Sequence, residues 1–549
     1  MSKSTHLSPP NGHSKNRSPS PRYGSKKRRQ NGKIPYHTSE KVRPNGKHAS
    51  VETTPSASEY ITQQNALSRT DFWNIVLLVV LYLLQGVPVG LTFGSIPFLL
   101  KLKASYSEIA VFSLASWPYS LKLLWSPIVD ATYFPRFGRR KSWIVPIQLL
   151  TGLIFLWLGM NVDHYMAQEE INVQFLTILF FVLIFFCATQ DIAVDGWALT
   201  LLSEGNLSYA STAQTIGINT GYFLSFTVFL AFNSAEFSNK YFRSFPKDTG
   251  VLGLGSYMVM WSVMYIAVTL WLIIAKKEGQ EAGKEDDKES MNIRGVYNII
   301  KNICKLPHMQ SFIILLLIAK IGFICNDTVT SLKLLEKGFR KEDLALAVLI
   351  DFPIQIIAGY YAARWSSGPR PLRPWLYSFY GRLVFALVGM LVVYIYPADG
   401  KVTPTYFALV IANTVLSSFM STVQFVSISA FMTSIADPVI GGTYMTLLQT
   451  FSNFGGTWPK YFVLKAVDYF SVATCHGVEQ GYSCVSEHDK QRCLSENGQC
   501  EISRDGFYYA GTLCVVLGAI LLLSYVQPRT RYLEKLPISK WRLASNKQA

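Results

Sequence analysis

The long apolar segments of this 549-residue chain contain no histidine; all eight (His6, His13, His37, His48, His164, His308, His476 and His488) fall in the tails or in polar stretches between apolar runs. An acyl-transfer enzyme inside a membrane would usually need a buried general base, most often histidine, so that chemistry lacks its usual agent. The same segments lack a Ser or Cys nucleophile motif and any cluster with metal-ligand spacing, so no cofactor or metal is expected. A carboxylate base is the catalytic option that remains. Net charge is scarce too, once it is divided along the chain. Residues 1–70 carry 13 Lys+Arg against 3 acids, residues 528–549 carry 6 against 1, and the 457 residues between them come to +1. The basic tails hold few aromatic residues to stack on bases, so the formal +16 does not point to nucleic acid.

What the chain has in abundance is apolar sequence. Half of its residues are hydrophobic and its mean hydropathy is +0.22, which bounds the class to a polytopic membrane protein. The N-terminal tail, residues 1–70, is rich in Ser, Pro, Gly and basic residues and is expected to be disordered. Its Ser-Pro pairs offer phosphorylation sites, with a plain solvated leader as the simpler reading. No apolar core follows a short basic start, so no cleaved signal peptide is expected.

At about 20 apolar residues per spanning helix, the pattern predicts an all-α membrane protein with twelve transmembrane helices in two six-helix bundles. The first bundle covers 71–275, with spans at 72–100, 107–129, a third ending near 160, a fourth ending in Cys187–Thr200, then 209–232 and 257–275. A charged linker covers 276–309. The second bundle covers 310–527, with spans at 310–331, 344–363, 376–396, 406–430, 443–467 and 507–526, and a cysteine-rich loop at 468–506. A basic tail, 528–549, follows. Gly86, Pro88, Gly90, Gly94 and Pro97 interrupt span 1, which predicts that it lines a path, because loosened helices survive in a bilayer where protein or a water-filled cavity covers their backbone. The halves also match each other weakly. At one offset of 235 residues, Leu100 meets Leu335, Ala110 meets Ala345, Pro118 meets Pro353, Tyr209 meets Tyr444, Gln214 meets Gln449, Thr215 meets Thr450 and Gly221 meets Gly456. A duplicated six-helix unit leaves such a shared offset.

Charge then orients the chain. The N-tail, the Arg136–Lys141 loop, the central linker, the Arg364–Arg373 loop and the C-tail hold most Lys and Arg, and twelve spans put all of them on one side, expected to be the cytosol. The opposite side receives Cys475, Cys484, Cys493 and Cys500. Their spacings lack the close pairs that zinc sites prefer, so two disulfides are predicted, with three pairings open.

Charged residues within hydrocarbon are costly and mark function. The cations are Lys122, Lys320 and Arg382; the acids are Asp191, Asp195, Asp327 and Asp351, with Asp130 at a helix end. Lys320 either pairs with Asp351 or waits for an anionic ligand. Asp191 and Asp195 stand one helical turn apart and share a face. With Asp130, Arg139 and Arg140 near the same membrane surface, Asp195 reads as part of a salt-bridge gate, and Asp191, a turn deeper, as a protonatable coupling site. Gln190 and Trp197 suit neutral hydrogen bonding and stacking, with a packed interfacial Trp as the alternative.

Twelve spans in two related halves, with Asp130 followed by Gly-Arg-Arg-Lys at 138–141, resemble the major facilitator superfamily, whose loop motif reads Gly-x-x-x-Asp followed closely by Gly-Arg-Arg. Here Pro127 lies near the expected glycine and seven residues separate Asp130 from Gly138. The strings SWPYSLKLLWSPIVDA (116–131), FGRRKSW (137–143), ATQDIAVDGWALT (188–200), AKIGF (319–323) and DPVIGGTYMTLLQTFSNFGGTWP (437–459) resemble the acetyl-coenzyme A transporters of the endoplasmic reticulum membrane. The resemblance implies import of cytosolic acetyl-CoA into the lumen, where it supports acetylation of proteins and sialylated glycolipids. For such a cargo the candidate phosphate ligands are Lys122, Lys320 and Arg382, the stacking faces Trp197 and Trp458, and the polar liners Gln85, Gln190, Asn219, Gln449 and Asn453. Free CoA is a candidate exchange partner, and a homodimer stays open. The rival readings are a proton-coupled permease for another anion or a muropeptide-like solute, and a membrane acetyltransferase.

Overall fold

The computed structural model describes residues 68–542, apart from 169, 170, 204, 205, 207, 277, 279–292, 367–369, 398, 399, 401, 437–440 and 478–480. The expected disorder of the N-tail, most of the charged part of the linker and the end of the C-tail lie outside the described residues. Ten helices among those described are long and apolar enough to cross a membrane. They are α1 (Arg69–Lys101), α3 (Lys141–Ala167), α4 (Val173–Leu201), α5 (Tyr209–Asn233), α6 (Leu254–Ala275), α7 (Pro307–Glu336), α8 (Lys341–Ser366), α9 (Leu372–Tyr394), α10 (Pro404–Ile435) and α12 (Gly506–Leu533). Two further predicted spans complete the twelve. The stretch 106–131, here α2, is broken by 3₁₀ turns at Leu114–Ser116 and Lys122–Leu124, with Pro118 and Pro127 each opening a new helical piece. Proline suits the first turn of a helix, where its missing N–H leaves no bond unmade, and both prolines of α2 sit at the head of a new piece. The twelfth is α11 (Gly441–Phe470), a continuous but more polar helix.

Local sequence sets several starts. Ser105 and Glu108 form a reciprocal capping box at α2 (Glu108 N to Ser105 Oγ, 3.2 Å; Ser105 N to Glu108 Oε2, 2.8 Å). Asn172 caps α4 and Thr403 caps α10 through their side-chain oxygens.

The interruptions of span 1 have a different outcome from the one expected. α1 runs unbroken to Lys101, with a π turn at Leu91–Ser95 that lies against a matching π turn of α5 at Leu224–Val228. Gly86, Gly90 and Gly94 face the α5 backbone and the Phe226 ring so closely that a Cβ at any of them would collide. These glycines let two helices touch; they do not open α1 onto a path.

The halves meet through α2 against α11 and α5 against α8. Ser120 Oγ and Thr457 Oγ1 are 2.8 Å apart, Trp117 sits edge-on to Phe454, and Phe223 stacks on Phe352. Packing differs at the two ends. Toward the cysteine loop, one continuous core joins both halves, running from Leu84, Phe112 and Phe180 to Val329, Leu464 and Phe507. Toward the termini the core divides, into a cluster around Tyr82 and Trp197 in the first half and another around Phe312, Phe431 and Trp541 of the second, which Leu123 of α2 joins from the first half.

The cysteine loop adds the one two-stranded sheet among the described residues, with β1 (Val472–His476) antiparallel to β2 (Gln499–Arg504). Of the three pairings open from sequence, the structure takes Cys475–Cys493 and Cys484–Cys500. The loop reaches the seam between the halves, where Glu336 at the end of α7 receives Lys101 (3.3 Å), Lys333 (3.2 Å), Lys490 of the loop (3.4 Å) and the Tyr106 hydroxyl (2.7 Å). Alongside, Ser107 N donates to Asp468 (2.5 Å) and Arg340 pairs with Glu236 (2.5 Å). At the 235-residue offset Lys101 is the counterpart of Glu336, so this latch joins equivalent positions of the two halves. Removing one partner from a buried ion-pair cluster costs about 3–5 kcal/mol. Glu336→Gln is therefore expected to raise opening at the cysteine-loop end about tenfold or more, measured as faster maleimide labelling of a cysteine introduced at Ser107; unchanged labelling would remove the latch role.

Candidate functional site

Intramembrane charges gather in two places, one in each half. In the first half, Lys122 occupies the second 3₁₀ turn of α2 and its ammonium pairs with Asp191 of α4, with Asp195 at 3.8 Å. Asp191 and Asp195 share a face as their spacing predicted. Asp195 also accepts from the Tyr82 hydroxyl (2.7 Å) and from Gln214 Nε2 (2.9 Å), whose other contact is Asp191 at 3.5 Å. Lys122, expected at a phosphate, thus has carboxylate partners in its own half. The salt bridge expected of Asp195 falls elsewhere too: Arg140 pairs with Asp130 (2.6 Å), Arg139 Nε donates to the Asp130 carbonyl (3.0 Å), and the Arg140 guanidinium lies over Gly196. Asp195 is one residue from that guanidinium, and Lys122 is its nearest recorded cation.

The neighbouring candidates are packed into the core. Trp197 is 2% exposed among Leu77, Leu78 and Val194, which is the packed-Trp alternative and withdraws its ring from stacking on a cargo. Gln190, equally buried, donates to the Leu81 carbonyl (3.3 Å). Gln85 is fully buried with neither polar atom hydrogen-bonded. These residues pack inside the first half, so the expectation that Gln85, Gln190 and Trp197 face a path is not what their burial shows.

In the second half, a cavity of about 240 Å³ lies among α7, α9, α10 and α11. It reaches from the middle of α7 and α11 to the parts of α9 and α10 nearer the termini. α7 is interrupted at its edge: one segment ends at Ile318, a 3₁₀ turn covers Ile321–Phe323, and the next segment starts at Ile324. Lys320 sits at this joint. Its ammonium donates to the Ser452 carbonyl (3.0 Å) and lies over Gly456, where a Cβ would come within 3.0 Å of Nζ. The expected partner, Asp351, is engaged elsewhere, accepting from Gln355 (2.5 Å). Arg382 is held from three sides: it pairs with Asp327, donates to Gln424 Oε1 (2.7 Å), and stacks 3.6 Å from the Phe323 ring centre. Lys460 of α11 also lines the cavity, its ammonium 5.9 Å from the Phe93 ring of the first half.

Charge and hydrogen bonding in this cavity are both lopsided. Lys320, Arg382 and Lys460 face the single carboxylate of Asp327. Arg382 Nε and Gln424 Nε2 are buried donors with no acceptor. Buried donors are nearly always satisfied, and each exception calls for an explanation. Surplus positive charge with unmet donors suits a ligand carrying several acceptor oxygens.

Trp458 donates to the Leu317 carbonyl (3.1 Å) beside the α7 joint, and Gln449 and Asn453 are half-buried on α11. Asn219 is exposed on α5. Sequence reasoning missed Lys460, Gln424, Tyr82 and Gln214. Lys460 lies inside predicted span 11 (443–467) and was passed over because the residues before it, Gln449 to Pro459, are mostly polar or small and blur the apolar run, and Gln214 surfaced as a repeat match with Gln449 without a role. Asp327 was visible as a costly acid but without its partner.

The first-half cluster generates a clear expectation. Lys122→Met leaves two uncompensated carboxylates and should lower the melting temperature of the purified protein by several degrees. Lys122→Met/Asp191→Leu, which removes the pair together, should recover much of that loss. Additive losses in the double variant would show that the two residues do not act as a pair.

Comparison with known proteins agrees with this arrangement. The family described as acetyl-coenzyme A transporter 1 matches residues 74–283, 279–373 and 369–543. An uncharacterized membrane protein of Saccharomyces cerevisiae is 42% identical over 555 residues, covering 87% of this chain and 99% of its own. The anhydromuropeptide permease of Escherichia coli is 27% identical over 150 residues, 27% of this chain and 29% of its own. Among solved structures, the nucleoside transporter NupG superposes with a TM-score of 0.56 at 11% identity, covering 84% of this chain and 99% of that one, a likeness of fold alone. The chain is a multi-pass membrane protein with the major facilitator fold, and it belongs to the acetyl-coenzyme A transporter family.

Proposed function

We propose that this protein carries acetyl-CoA from the cytosol into the endoplasmic reticulum lumen by alternating access of its two six-helix halves. The cavity of the second half supports the reading most directly. It holds three cations against one acid, with Arg382 Nε and Gln424 Nε2 as unmet donors, the complement of a phosphate-bearing ligand. At about 240 Å³ it takes the phosphate-bearing part of the cargo. The remainder would lie between the halves, past Asn219, Gln449, Asn453 and Trp458. Free CoA carries the same phosphates and would compete there, which makes it the natural exchange partner.

The orientation in this reading follows Lys and Arg to the cytosol, both termini included, and the disulfides to the lumen. The Glu336 latch then closes the lumenal end, and the cavity faces the cytosol. Asp130, Arg139, Arg140, Asp191 and Asp195 stay in the gating and coupling role on the cytosolic side of the first half.

Two labels on acetyl-CoA, one on the acetyl group and one on the CoA moiety, test the proposal in proteoliposomes. Saturable uptake of both labels together is expected. Entry of acetyl alone would identify an acetyltransferase, and uptake of neither would sink the reading. The partial likeness to a muropeptide permease favours a second cargo, so the same vesicles should be offered an anhydromuropeptide. Lys320→Ala and Lys460→Ala should each cut acetyl-CoA uptake about tenfold or more, since a charge-assisted hydrogen bond contributes about 1.5–3 kcal/mol. Lys540→Ala, at an exposed residue outside the cavity lining, should leave it unchanged.

A further inference from the structure

The outer surface of the second half carries another cavity. Where α8 ends and α9 begins, a groove of about 710 Å³ opens sideways between α9 and α10. Arg370 and Arg373 stand at its mouth, linked by a backbone hydrogen bond (Arg373 N to Arg370 O, 3.3 Å), and both are exposed. Below them the walls turn apolar and aromatic: Trp365 lies edge-on to Phe419 (6.3 Å), Tyr377 is exposed opposite, and Met420 lies deeper. Gly381 shapes that end, because a Cβ there would come within 2.7 Å of the Met420 sulfur. The helices can therefore close at Gly381 and Met420 while standing apart toward the arginines.

We propose that this groove binds one anionic phospholipid of the surrounding bilayer, with its phosphate on Arg370 and Arg373 and an acyl chain along Trp365, Phe419 and Met420. Three observations point to that occupant. The groove is cationic at one end and apolar along the rest, which is the charge pattern of a phospholipid inverted. Its arginines sit at the ends of spanning helices, at headgroup depth, and Trp365 and Tyr377 beside them are the residue types enriched at that boundary. One of its walls also belongs to a helix with a broad exposed apolar face: Val384, Leu387 and Leu391 of α9 are all large apolar side chains left exposed, as is Tyr377. The carboxylate of Glu534 accepts the Leu372 N–H at 3.0 Å and so caps α9. Glu534 also attracts Arg373, so one carboxylate stands against two guanidiniums, and the surplus positive charge suits a phosphate, which guanidiniums are shaped to hold in bidentate fashion.

The groove and the inner cavity lie on two sides of the same helices. Phe419, Met420 and Val423 of α10 face the lipid groove, while Ser421 and Gln424 face the cations within. α9 likewise presents Arg373 and Tyr377 outward and Arg382 inward. A lipid wedged there braces the pair of helices that carries Arg382 and Gln424.

Native mass spectrometry of the full-length protein, delipidated and then offered phosphatidylinositol or phosphatidylcholine, tests this. One phosphatidylinositol per chain should be retained with a preference of about tenfold or more over phosphatidylcholine, and Arg370→Gln/Arg373→Gln should abolish the preference. Neither millimolar inorganic phosphate nor acetyl-CoA should displace the lipid. Equal retention of the two lipids by the unaltered protein would overturn the proposal without any variant. So would a preference that survives the double substitution, or displacement by phosphate or acetyl-CoA, which would assign the arginines to a soluble phosphate.

Discussion

A charge inside hydrocarbon must be neutralised by a neighbour or held for a ligand, and the two halves of this protein resolve that constraint in opposite ways. In the first half, Lys122 lies within 4 Å of both Asp191 and Asp195, and Tyr82 and Gln214 supply further hydrogen bonds to the acids. In the second half, Asp327 meets Arg382, while Lys320 makes do with a backbone carbonyl and Lys460 with the face of a ring. One half satisfies itself and the other is left wanting an anion. For the anionic cargo proposed above, this asymmetry decides where it has reason to stop.

Under the proposed alternating-access cycle, that cavity is exposed to one side at a time, and the surrounding architecture suits this. Closure at the cysteine-loop end comes from a core shared by both halves and from the Glu336 cluster, whereas the core divides toward the termini. The two disulfides hold the loop bearing Lys490 in a compact fold at the seam. Lysine at that position connects the extramembrane loop to the moving interface, so the loop takes part in closure as well as covering it.

Much of this was legible in the sequence, and what was not shares one cause. Span positions follow from hydropathy, which is local, and most predicted spans agree with the helices to within a few residues at each end. The Asp191 and Asp195 face follows from helical spacing, also local. Partner choice is not local: nothing near Arg382 indicates Asp327, 55 residues away, and nothing near Lys122 indicates Asp191, 69 away. The cysteine pairings stayed open for the same reason. The glycines of α1 misled because a glycine needed for close packing and one that loosens a helix look alike until the neighbouring helix is in place. Trp197 misled similarly, since proximity in sequence to costly acids says nothing about which way a ring points.

The Lys101–Glu336 contact has a consequence for how such a molecule comes into being. The two residues occupy equivalent positions of the duplicated halves. An assembly of two identical subunits related by the same axis would set lysine against lysine there, or glutamate against glutamate, and like charges would push the seam apart. Within one chain each position can differ from its counterpart, and here lysine faces glutamate so that the seam is attractive. The latch is thus available to a single polypeptide and closed to any symmetric pair of identical halves.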